Sequence, residues 1–310
     1  MNILTSPDLR ESFRSYISPT AQVDWSDTAL PACPIRSRSP GLEANHRYFG
    51  HPEWARSYFK YRHRSERFRR RWQAACGSWD DKIVVDIGCG PGNVFATVGG
   101  RPKLLIGVDV AKGSLEMASE VGYQPMLADA HALPFVSGFA DLVVMNATLH
   151  HCDDMACVLA EASRLVALGG ILVTDHDPQL TAWKFRGPAK WAWQAGITSY
   201  LWPKKGYHRS GRARVAAFRS EIHNAPGRGV TPQLYESILK PRGFNIELHP
   251  HNHSCGASAL HGNIGRSGQK HRLTQLLSGI NPDSRMAALS ILCRAVKVRT
   301  PTDRALLPQS

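Results

Sequence analysis

One stretch decides how this chain folds: residues 84–93, which read VVDIGCGPGN. The run from Ile83 to Ile87 is apolar and β-branched apart from Asp86, which predicts a short buried strand. Three alternating glycines follow it, at Gly88, Gly90 and Gly92. Glycine tolerates positive φ and lets a ligand approach the backbone closely. The stretch therefore predicts a strand that runs into a ligand-binding loop, as at the switch point of an open α/β sheet.

The glycine spacing departs from the dinucleotide-binding fingerprint G-x-G-x-x-G. The third glycine comes one residue early, and Asn93 stands where the fingerprint has glycine. Asp86 would repel a pyrophosphate, but it would suit a cofactor that carries an ammonium and a sulfonium. Asp109 ends the next apolar run, roughly 20 residues after the first glycine, where an acid can accept hydrogen bonds from both ribose hydroxyls.

This combination resembles the class I S-adenosylmethionine (SAM)-dependent methyltransferases. The resemblance covers roughly residues 80–177. Its further motifs lie at 127–130, similar to the adenine-contacting turn of the family, and at 133–144, 149–151 and 164–170. It implies SAM as the cofactor and the following cofactor-binding residues: Asp86, Gly88, Cys89, Gly90, Gly92, Asp109, Val110, Asp129, Ala130 and Asn146. The alternative is a Rossmann-like domain with a different or inactive ligand site.

Strands alternate with helices along the middle of the chain, which predicts an α/β fold whose parallel sheet is covered on both faces. The resemblance implies a Rossmann-like, doubly wound, mostly parallel seven-stranded sheet with an antiparallel last strand. The predicted strands are 83–87, 104–109, 124–128, 141–146, 170–175, 244–249 and one within 289–298. Gly169 and Gly170 are predicted to form the turn that precedes the fifth strand.

The chain divides into six predicted parts. Proline and serine are frequent in residues 1–40, which we expect to be poorly ordered or draped over the surface. Aromatic residues recur at near-helical spacing over 52–78, which predicts one helix there. The parts are the leader 1–40, an N-terminal helical segment 41–80, the SAM-binding core 81–177, an aromatic and basic cap 178–230 inserted after the fifth strand, the rest of the core 231–299 with an inserted loop 250–287, and a tail 300–310.

The composition is typical of a soluble globular protein: 43% of the 310 residues are hydrophobic and 20% are charged. No run of about 18 apolar residues occurs, so no membrane-spanning helix is predicted. The N-terminus shows no signal pattern of basic and then apolar residues. The seven cysteines include no C-x-x-C motif, which favours reduced thiols and a cytoplasmic location.

The formal net charge of +13 is concentrated in two segments, 56–71 and 178–220. Such segments attract nucleic acid, anionic lipid or an acidic substrate, or they form an ordinary solvated surface. Consecutive positions 69, 70 and 71 of a helix point about 100° apart, so these arginines would surround the helix and not line one stripe. We therefore expect no nucleic-acid track.

Three histidines are candidate general bases: His150 and His151 after the fourth strand, and His176 after the fifth. The carboxyl ends of these strands face the predicted cofactor site, and histidine can take up a proton near pH 7. A base is needed only where the acceptor must lose a proton. The alternative is that these imidazoles stack on the cofactor or cap the next helix.

A second group of histidines could hold zinc. His249, His251 and His253 alternate, so an extended chain would place them on one side, and Cys255 and His261 lie nearby. No pair has the spacing of a zinc finger. We therefore interpret this segment as a loop near the substrate and predict no metal site.

The sequence predicts an enzyme that transfers a methyl group from SAM to O, N or C of a small, hydrophobic or aromatic metabolite, as in secondary metabolism. The aromatic cap favours this small-molecule acceptor. The alternatives are an RNA methyltransferase that uses the basic segments, a methyltransferase that meets a lipid or quinone through peripheral membrane contact, and a non-catalytic SAM-binding partner protein. The sequence indicates neither the acceptor nor the oligomeric state.

Overall fold

The computed structural model of the chain describes residues 7–35, 39–191 and 211–299. The strands are β1 (Ile83–Ile87), β2 (Leu104–Asp109), β3 (Gln124–Leu127), β4 (Ala140–Asn146), β5 (Val166–Asp175), β6 (Phe244–His251) and β7 (Ser290–Lys297). They form one seven-stranded sheet in the order β3-β2-β1-β4-β5-β7-β6. Neighbouring strands from β1 to β5 are parallel, and β7 runs antiparallel to both β5 and β6. The predicted fold class is confirmed.

Helices cover both faces of this sheet. They are α1 (Pro7–Ser15), α2 (Pro40–Phe49), α3 (Pro52–Tyr61), α4 (Glu66–Cys76), α5 (Asn93–Val98), α6 (Lys112–Val121), α7 (Met155–Leu165), α8 (Gly211–Ser220), α9 (Pro232–Leu239) and α10 (Gln269–Leu277). Short 3-10 turns lie at Leu149–His151, Leu180–Trp183, Lys240–Arg242, Ala257–His261 and Arg285–Ala287. None of the described helices is long and apolar enough to cross a membrane.

β1 lies in the middle of the sheet because its apolar side chains can be buried on both faces. Val85 pairs with Ile106 of β2 and with Val143 of β4. Val85 belongs to the core on one face, whereas Val84 belongs to the core on the other face, together with Trp72 of α4. A strand buried on both faces gives a continuous apolar run, so the sequence predicts the observed bounds of β1 and β2.

The single helix predicted over 52–78 is wrong, since α3 and α4 are separate helices. Between them His63 has a φ of 57°, which no helix can contain. The Ser65 side chain then accepts a hydrogen bond from the Phe68 N–H at 3.2 Å and caps α4. The aromatic spacing concealed this break because it continues through both helices.

The turn predicted at Gly169 and Gly170 is also wrong. β5 runs without a break from Val166 to Asp175, and its pairing with β4 shifts register between Ala140 and Leu142. Gly169 has a φ of 79°, and a Cβ on Gly170 would lie 2.9 Å from the Ala140 carbonyl oxygen. The two glycines therefore permit an irregularity within the strand and not a turn before it.

The described part of the leader packs along the β3 edge of the sheet. Phe13 of α1 is buried, and its ring lies edge-on to those of Trp25 and Phe135, both at 6.2 Å. The Cys33 N–H donates to the Leu127 carbonyl at 2.8 Å. Residues 7–35 thus agree with the surface-draped alternative and not with the poorly ordered one, because aromatic burial holds them in place.

Both the predicted cap and the predicted insertion contain helices. The insertion between β6 and β7 contains α10 and two of the 3-10 turns. Of the predicted cap 178–230, the structure describes 178–191 and 211–230, and α8 packs against α2. Residues 192–210 of the cap and the tail 300–310 lie outside the described residues.

Candidate functional site

Positive-φ glycines shape the loop after β1. Gly88, Gly90 and Gly92 have φ values of 68°, 52° and 87°. A Cβ on Gly88 would lie 2.5 Å from the Thr148 side chain, so no larger residue fits there without a shift. The Gly88 N–H donates to the Val108 carbonyl at 2.8 Å, which fastens the loop to β2. The loop borders a cleft of about 840 Å³ at the carboxyl edge of the sheet.

Asp109 ends β2 and lines this cleft. Its Oδ2 accepts from the Gly90 N–H and its Oδ1 from the Ala111 N–H, each at 2.9 Å. Burial raises the pKa of Asp109, and the backbone hydrogen bonds partly oppose that rise. A carboxylate fixed in this way keeps lone pairs that can accept hydrogen bonds from ligand hydroxyls.

Eight of the predicted cofactor residues line the cleft: Gly88, Cys89, Gly90, Asp109, Val110, Asp129, Ala130 and Asn146. Asp129 bonds the His131 Nδ1 at 2.6 Å. Burial alone would raise the pKa of Asp129, but the hydrogen bonds from His131 outweigh burial and lower it. Asn146 ends β4, and its buried Oδ1 has no partner among the described residues. Such an acceptor suits an ammonium donor on a ligand.

Asp86 and Gly92 do not line the cleft, contrary to the prediction. Asp86 is fully buried, and its Oδ2 accepts from the Tyr123 hydroxyl at 2.7 Å. Successive strand residues point to opposite faces, so this carboxyl lies beneath the glycine loop with Tyr123. Burial raises the pKa of Asp86 to about 7, although the Tyr123 hydrogen bond lowers it. Gly92 caps α5, and a Cβ there would lie 3.0 Å from the Tyr123 ring.

The N-terminal helices close the cleft opposite the sheet edge. Leu42 and Phe49 of α2 and Tyr58 of α3 line it. The buried Asn93 side chain fastens this part: its Nδ2 donates to the Arg62 carbonyl at 2.8 Å and to the carbonyl of Phe59 at 3.2 Å. The sequence analysis missed this role, although asparagine in place of the expected glycine was a signal that the position is special.

A second pocket, of about 820 Å³, adjoins the cleft. The two share five lining residues: Phe49, Tyr58, His63, Ala147 and His151. The second pocket is also lined by His150, His176 and His253, by the carboxylate of Glu221 and by the ring of Trp183. All three histidines predicted as candidate bases therefore lie around this pocket, which we call the histidine pocket.

Several residues with strained backbone conformations line the histidine pocket. Among residues 7–35, 39–191 and 211–299, five non-glycine residues have positive φ, and four of these line the pocket: His63, Ala147, His176 and His253. A non-glycine residue in the left-handed region costs on the order of 1–3 kcal/mol, and such residues cluster at functional sites. The strain supports a functional role for this pocket.

His150 lies between two carboxylates. Its Nδ1 is 2.8 Å from Asp177 Oδ1, and its Nε2 is 3.2 Å from Glu221 Oε2. Burial would lower the pKa of His150, but the hydrogen bonds that its ring donates to Asp177 and Glu221 outweigh burial and raise it to about 10. The sequence did not reveal Glu221, because it lies 71 residues further along, in the predicted cap.

His151 has the opposite character. Its Nδ1 lies 2.6 Å from the Ser220 carbonyl oxygen. A carbonyl can only accept, so Nδ1 carries the proton and Nε2 keeps a lone pair. Burial and, to a smaller extent, the neighbouring His150 lower the pKa of His151 to about 4. His151 is thus a neutral imidazole at the junction of the cleft and the histidine pocket.

A buried ion pair lies behind the histidine pocket. The Arg71 Nε donates to Asp175 Oδ2 at 2.9 Å, and both side chains are at most 1% exposed. His251 Nδ1 accepts from the His253 N–H at 3.1 Å, so its Nε2 carries a proton toward Asp175 Oδ1 at 2.7 Å. Burial alone would raise the pKa of Asp175, but the charge of Arg71 leads the interactions that hold it well below its usual range.

His176 follows this carboxylate and lines the histidine pocket. Its ring stacks on that of His253 at 4.3 Å and lies 4.8 Å from the ring of His63. Burial lowers the pKa of all three imidazoles, which are therefore neutral near pH 7. The Tyr58 hydroxyl and His63 Nε2 are 2.8 Å apart and hold that ring in place.

The alternating histidines of the predicted loop do not converge on one point. His251 is fully buried on Asp175, His253 lines the histidine pocket, and His249 lies 3.5 Å from Glu247. Within the described parts of the chain, the group whose ligand atoms lie within 4.8 Å of one another is instead His150, His151 and Glu221. All seven cysteines are free thiols.

The known proteins whose sequences resemble this chain include methyltransferases. The family model described as "Methyltransferase domain" matches residues 85–174. Trans-aconitate 2-methyltransferase of Methylobacterium radiotolerans is 25% identical over 221 residues, which are 69% of this chain and 77% of that protein. Ubiquinone biosynthesis O-methyltransferase of Thiobacillus denitrificans is 30% identical over 122 residues, which are 37% of this chain and 52% of that protein.

Among solved structures, the plantazolicin methyltransferase BamL, in complex with a triazolic desmethylPZN analog and SAH, has a similar fold. The TM-score is 0.51 at 14% identity, covering 84% of this chain and 96% of that one. Residues 85–174 carry a methyltransferase domain, and the relatives and the fold support assignment to the class I SAM-dependent methyltransferases. The protein is an enzyme of that class, and its cofactor is SAM.

The residues of this cleft, which we call the cofactor cleft from here on, fit SAM. A Cβ on Gly90 would meet nothing within 4 Å, so the backbone of the glycine loop is open to a ligand there. The unpaired Asn146 Oδ1 can accept from the ammonium of the methionine part, and the fixed Asp109 carboxylate can accept from ribose hydroxyls.

Proposed function

We propose that this enzyme methylates O, N or C of a small molecule that binds in the histidine pocket. The observation that carries the proposal is the wall that the pocket shares with the cofactor cleft, formed by Ala147, His151 and three residues of the N-terminal segment. A ligand in the pocket would meet the cofactor across this wall. The lining combines aromatic rings with polar groups, so an acceptor with a compact aromatic or aliphatic frame and oxygen or nitrogen substituents suits it.

SAM supplies an electrophilic methyl group when it is bound: the S–CH₃ bond breaks, the sulfur keeps the electron pair, and the acceptor gains the methyl group. The chain's own contribution is to position the acceptor, which can supply up to about 7–11 kcal/mol of the barrier reduction for well-oriented groups. The buried rings of the pocket also exclude water from the acceptor.

A hydroxyl or amine acceptor must also lose a proton. His176 is neutral and lines the histidine pocket, and its Nδ1 lies 3.3 Å from Asp175 Oδ2. These properties support His176 as the proton acceptor. We assign His150 and His151 to acceptor binding, since the former is already held by two carboxylates.

The name of one relative supports oxygen as the acceptor atom, and that of another supports a small carboxylic acid as the acceptor. One is named a trans-aconitate 2-methyltransferase and another an O-methyltransferase of ubiquinone biosynthesis. The neutral imidazoles of the pocket and Arg62 can donate to a carboxylate or a phenol. A small carboxylic acid or phenol is therefore the acceptor class that we favour over a purely hydrophobic metabolite.

The basic segment 56–71 does not support an RNA acceptor. Of three consecutive arginines, Arg71 is buried on Asp175, whereas Arg69 and Arg70 pair with Glu66. A phosphate-binding track needs several exposed cations on one face. The buried position of Arg71 removes one of them and supports a structural use of this charge.

The test is an assay of the full chain with methyl-labelled SAM and separate panels of small carboxylic acids, phenols, amines and total RNA. We expect labelled product from a small acid or phenol. His176→Gln should lower kcat/KM about 100-fold or more if His176 takes up the proton, with SAM affinity changed less than twofold. The matched control is His261→Gln, because His261 is exposed and lies outside both pockets. Label that enters only RNA would overturn the proposal.

A further inference from the structure

We propose that His150, His151 and Glu221 form a binding site for one divalent transition-metal ion, with open positions that face the histidine pocket. Two histidines and one carboxylate are a ligand set that suits Zn²⁺ and Fe²⁺, and three protein ligands leave room for a further one. All three residues line the pocket, and their ligand atoms lie within 4.8 Å of one another.

The distances agree with metal binding. His150 Nε2 and Glu221 Oε2 are 3.2 Å apart. Two ligands about 2.0–2.1 Å from a tetrahedral ion lie roughly 3.3–3.4 Å from each other. The pair is therefore already close to the separation that an ion would impose.

The outer partners of both imidazoles are those of metal ligands. Histidines that bind metal usually donate their second ring N–H to a carboxylate or a backbone carbonyl, which directs the other nitrogen to the ion. His150 Nδ1 meets Asp177 Oδ1 at 2.8 Å, and His151 Nδ1 meets the Ser220 carbonyl at 2.6 Å. In each ring this leaves Nε2 as the ligand atom.

The two segments that supply the ligands are fastened together. The His223 N–H donates to the His150 carbonyl at 2.9 Å. Asn224 Nδ2 donates to Glu221 Oε2 at 2.8 Å and holds the carboxylate toward the histidines. The chain segment after α8 is thus fixed against the 3-10 turn that carries both imidazoles, so the three ligands are preorganised.

An ion here would bind an acceptor through an oxygen donor such as a carboxylate or hydroxyl. This role of the ion rests on the proposed function, whereas the binding of the ion does not. A competing arrangement has a proton on His150 Nε2, which then pairs with Glu221 in place of the ion. The two arrangements predict different results in a metal titration.

The experiment uses the full chain, free of affinity tags and stripped of metal with a chelator. It is titrated with Zn²⁺ alone by calorimetry against a competing chelator, and with Co²⁺ to observe its visible absorption. We expect one Zn²⁺ per chain and a Co²⁺ spectrum of low coordination number. Glu221→Gln and His151→Gln should each weaken Zn²⁺ binding by about 100-fold or more, and Asp177→Asn, a positioning residue, by about 10–100-fold.

His261→Gln is the matched control and should bind Zn²⁺ as the parent does, because His261 is exposed. SAM affinity, measured for every variant in chelator, reports whether the fold is intact. The proposal is overturned if the parent chain binds Zn²⁺ no more tightly than free histidine does in the same assay. It is also overturned if Glu221→Gln binds Zn²⁺ with the affinity of the parent chain. Methyl transfer that persists in chelator would remove the role of the ion in holding the acceptor and leave the proposed function standing.

Discussion

The cofactor cleft takes most of its lining from one continuous stretch, residues 88–153, whereas the histidine pocket takes its lining from segments as distant as Tyr48 and Leu289. The cleft depends on backbone conformation and on carboxylates fixed by nearby N–H groups, as at Asp109. The pocket depends on buried side-chain contacts between separate elements, such as Arg71 with Asp175. A site of the first kind is local and a site of the second kind is tertiary, so the two should respond differently to substitution.

The largest effect is expected from Arg71→Ala, which removes the cation behind the histidine pocket. Asp175 would then be a buried charge without its main partner, which typically costs 3–5 kcal/mol. We expect the free energy of unfolding, measured in urea, to fall by about that amount. Arg70→Ala is the matched control, because its side chain is 67% exposed and a surface ion pair contributes about 0–1 kcal/mol. Equal losses in the two variants would contradict the structural role of Arg71.

The next effect concerns Asp86, beneath the cofactor cleft. Burial raises its pKa from 3.8 to about 7, so the folded chain holds a proton that the unfolded chain has lost. The stabilisation that this proton provides is fully present below about pH 4 and is lost as the pH rises through about 7. The free energy of unfolding should fall by about 2–4 kcal/mol over that range.

Urea unfolding of the SAM-free chain at pH 5 and pH 8 measures this effect. Asp86→Asn cannot titrate, so its stability should fall less between the two pH values than that of the parent chain. Parallel pH profiles for the two proteins would show that the carboxyl of Asp86 is ionised throughout.

Asp109→Ala tests the local construction of the cofactor cleft. The variant loses hydrogen bonds from ribose hydroxyls to an ionised acceptor, at a cost of roughly 1.5–3 kcal/mol, or about 10- to 150-fold in SAM affinity. Calorimetry with SAM measures the change. Asp283→Ala, an exposed acid paired with Arg272, serves as the control. Unchanged SAM affinity in Asp109→Ala would refute the assignment of Asp109 to the cofactor.

The smallest effect is expected from Ser65→Ala, at the break between α3 and α4. The hydroxyl caps α4 through the Phe68 N–H, and loss of such a cap costs about 1 kcal/mol. Unfolding in urea should show that loss, whereas Ser237→Ala, on the exposed side of α9, should change stability by less than about 0.5 kcal/mol. No difference between the two variants would mean that the cap does not fix the helix boundary.

The cofactor half of the protein could be predicted from sequence because its signals are local. A buried strand, a glycine loop and an acid at the end of the next strand follow one another within about 30 residues, so backbone geometry alone brings them together. Even there, the alternation of side chains along β1 turns Asp86 away from the cleft. Its carboxyl instead accepts a hydrogen bond from the Tyr123 hydroxyl. The fold class followed from the alternation of strands and helices.

Only the tertiary structure decided how the second site is built. The sequence pointed to His150, His151 and His176 but not to the contacts that Glu221 and Arg71 make at this site. Glu221 meets His150 only because α8 packs against α2 and returns the chain to the end of β4. Asp175 is an ordinary strand-end acid until α4 brings Arg71 to it. Residues far apart in the chain meet through packing of whole elements, and short-range periodicity carries no record of which elements those are.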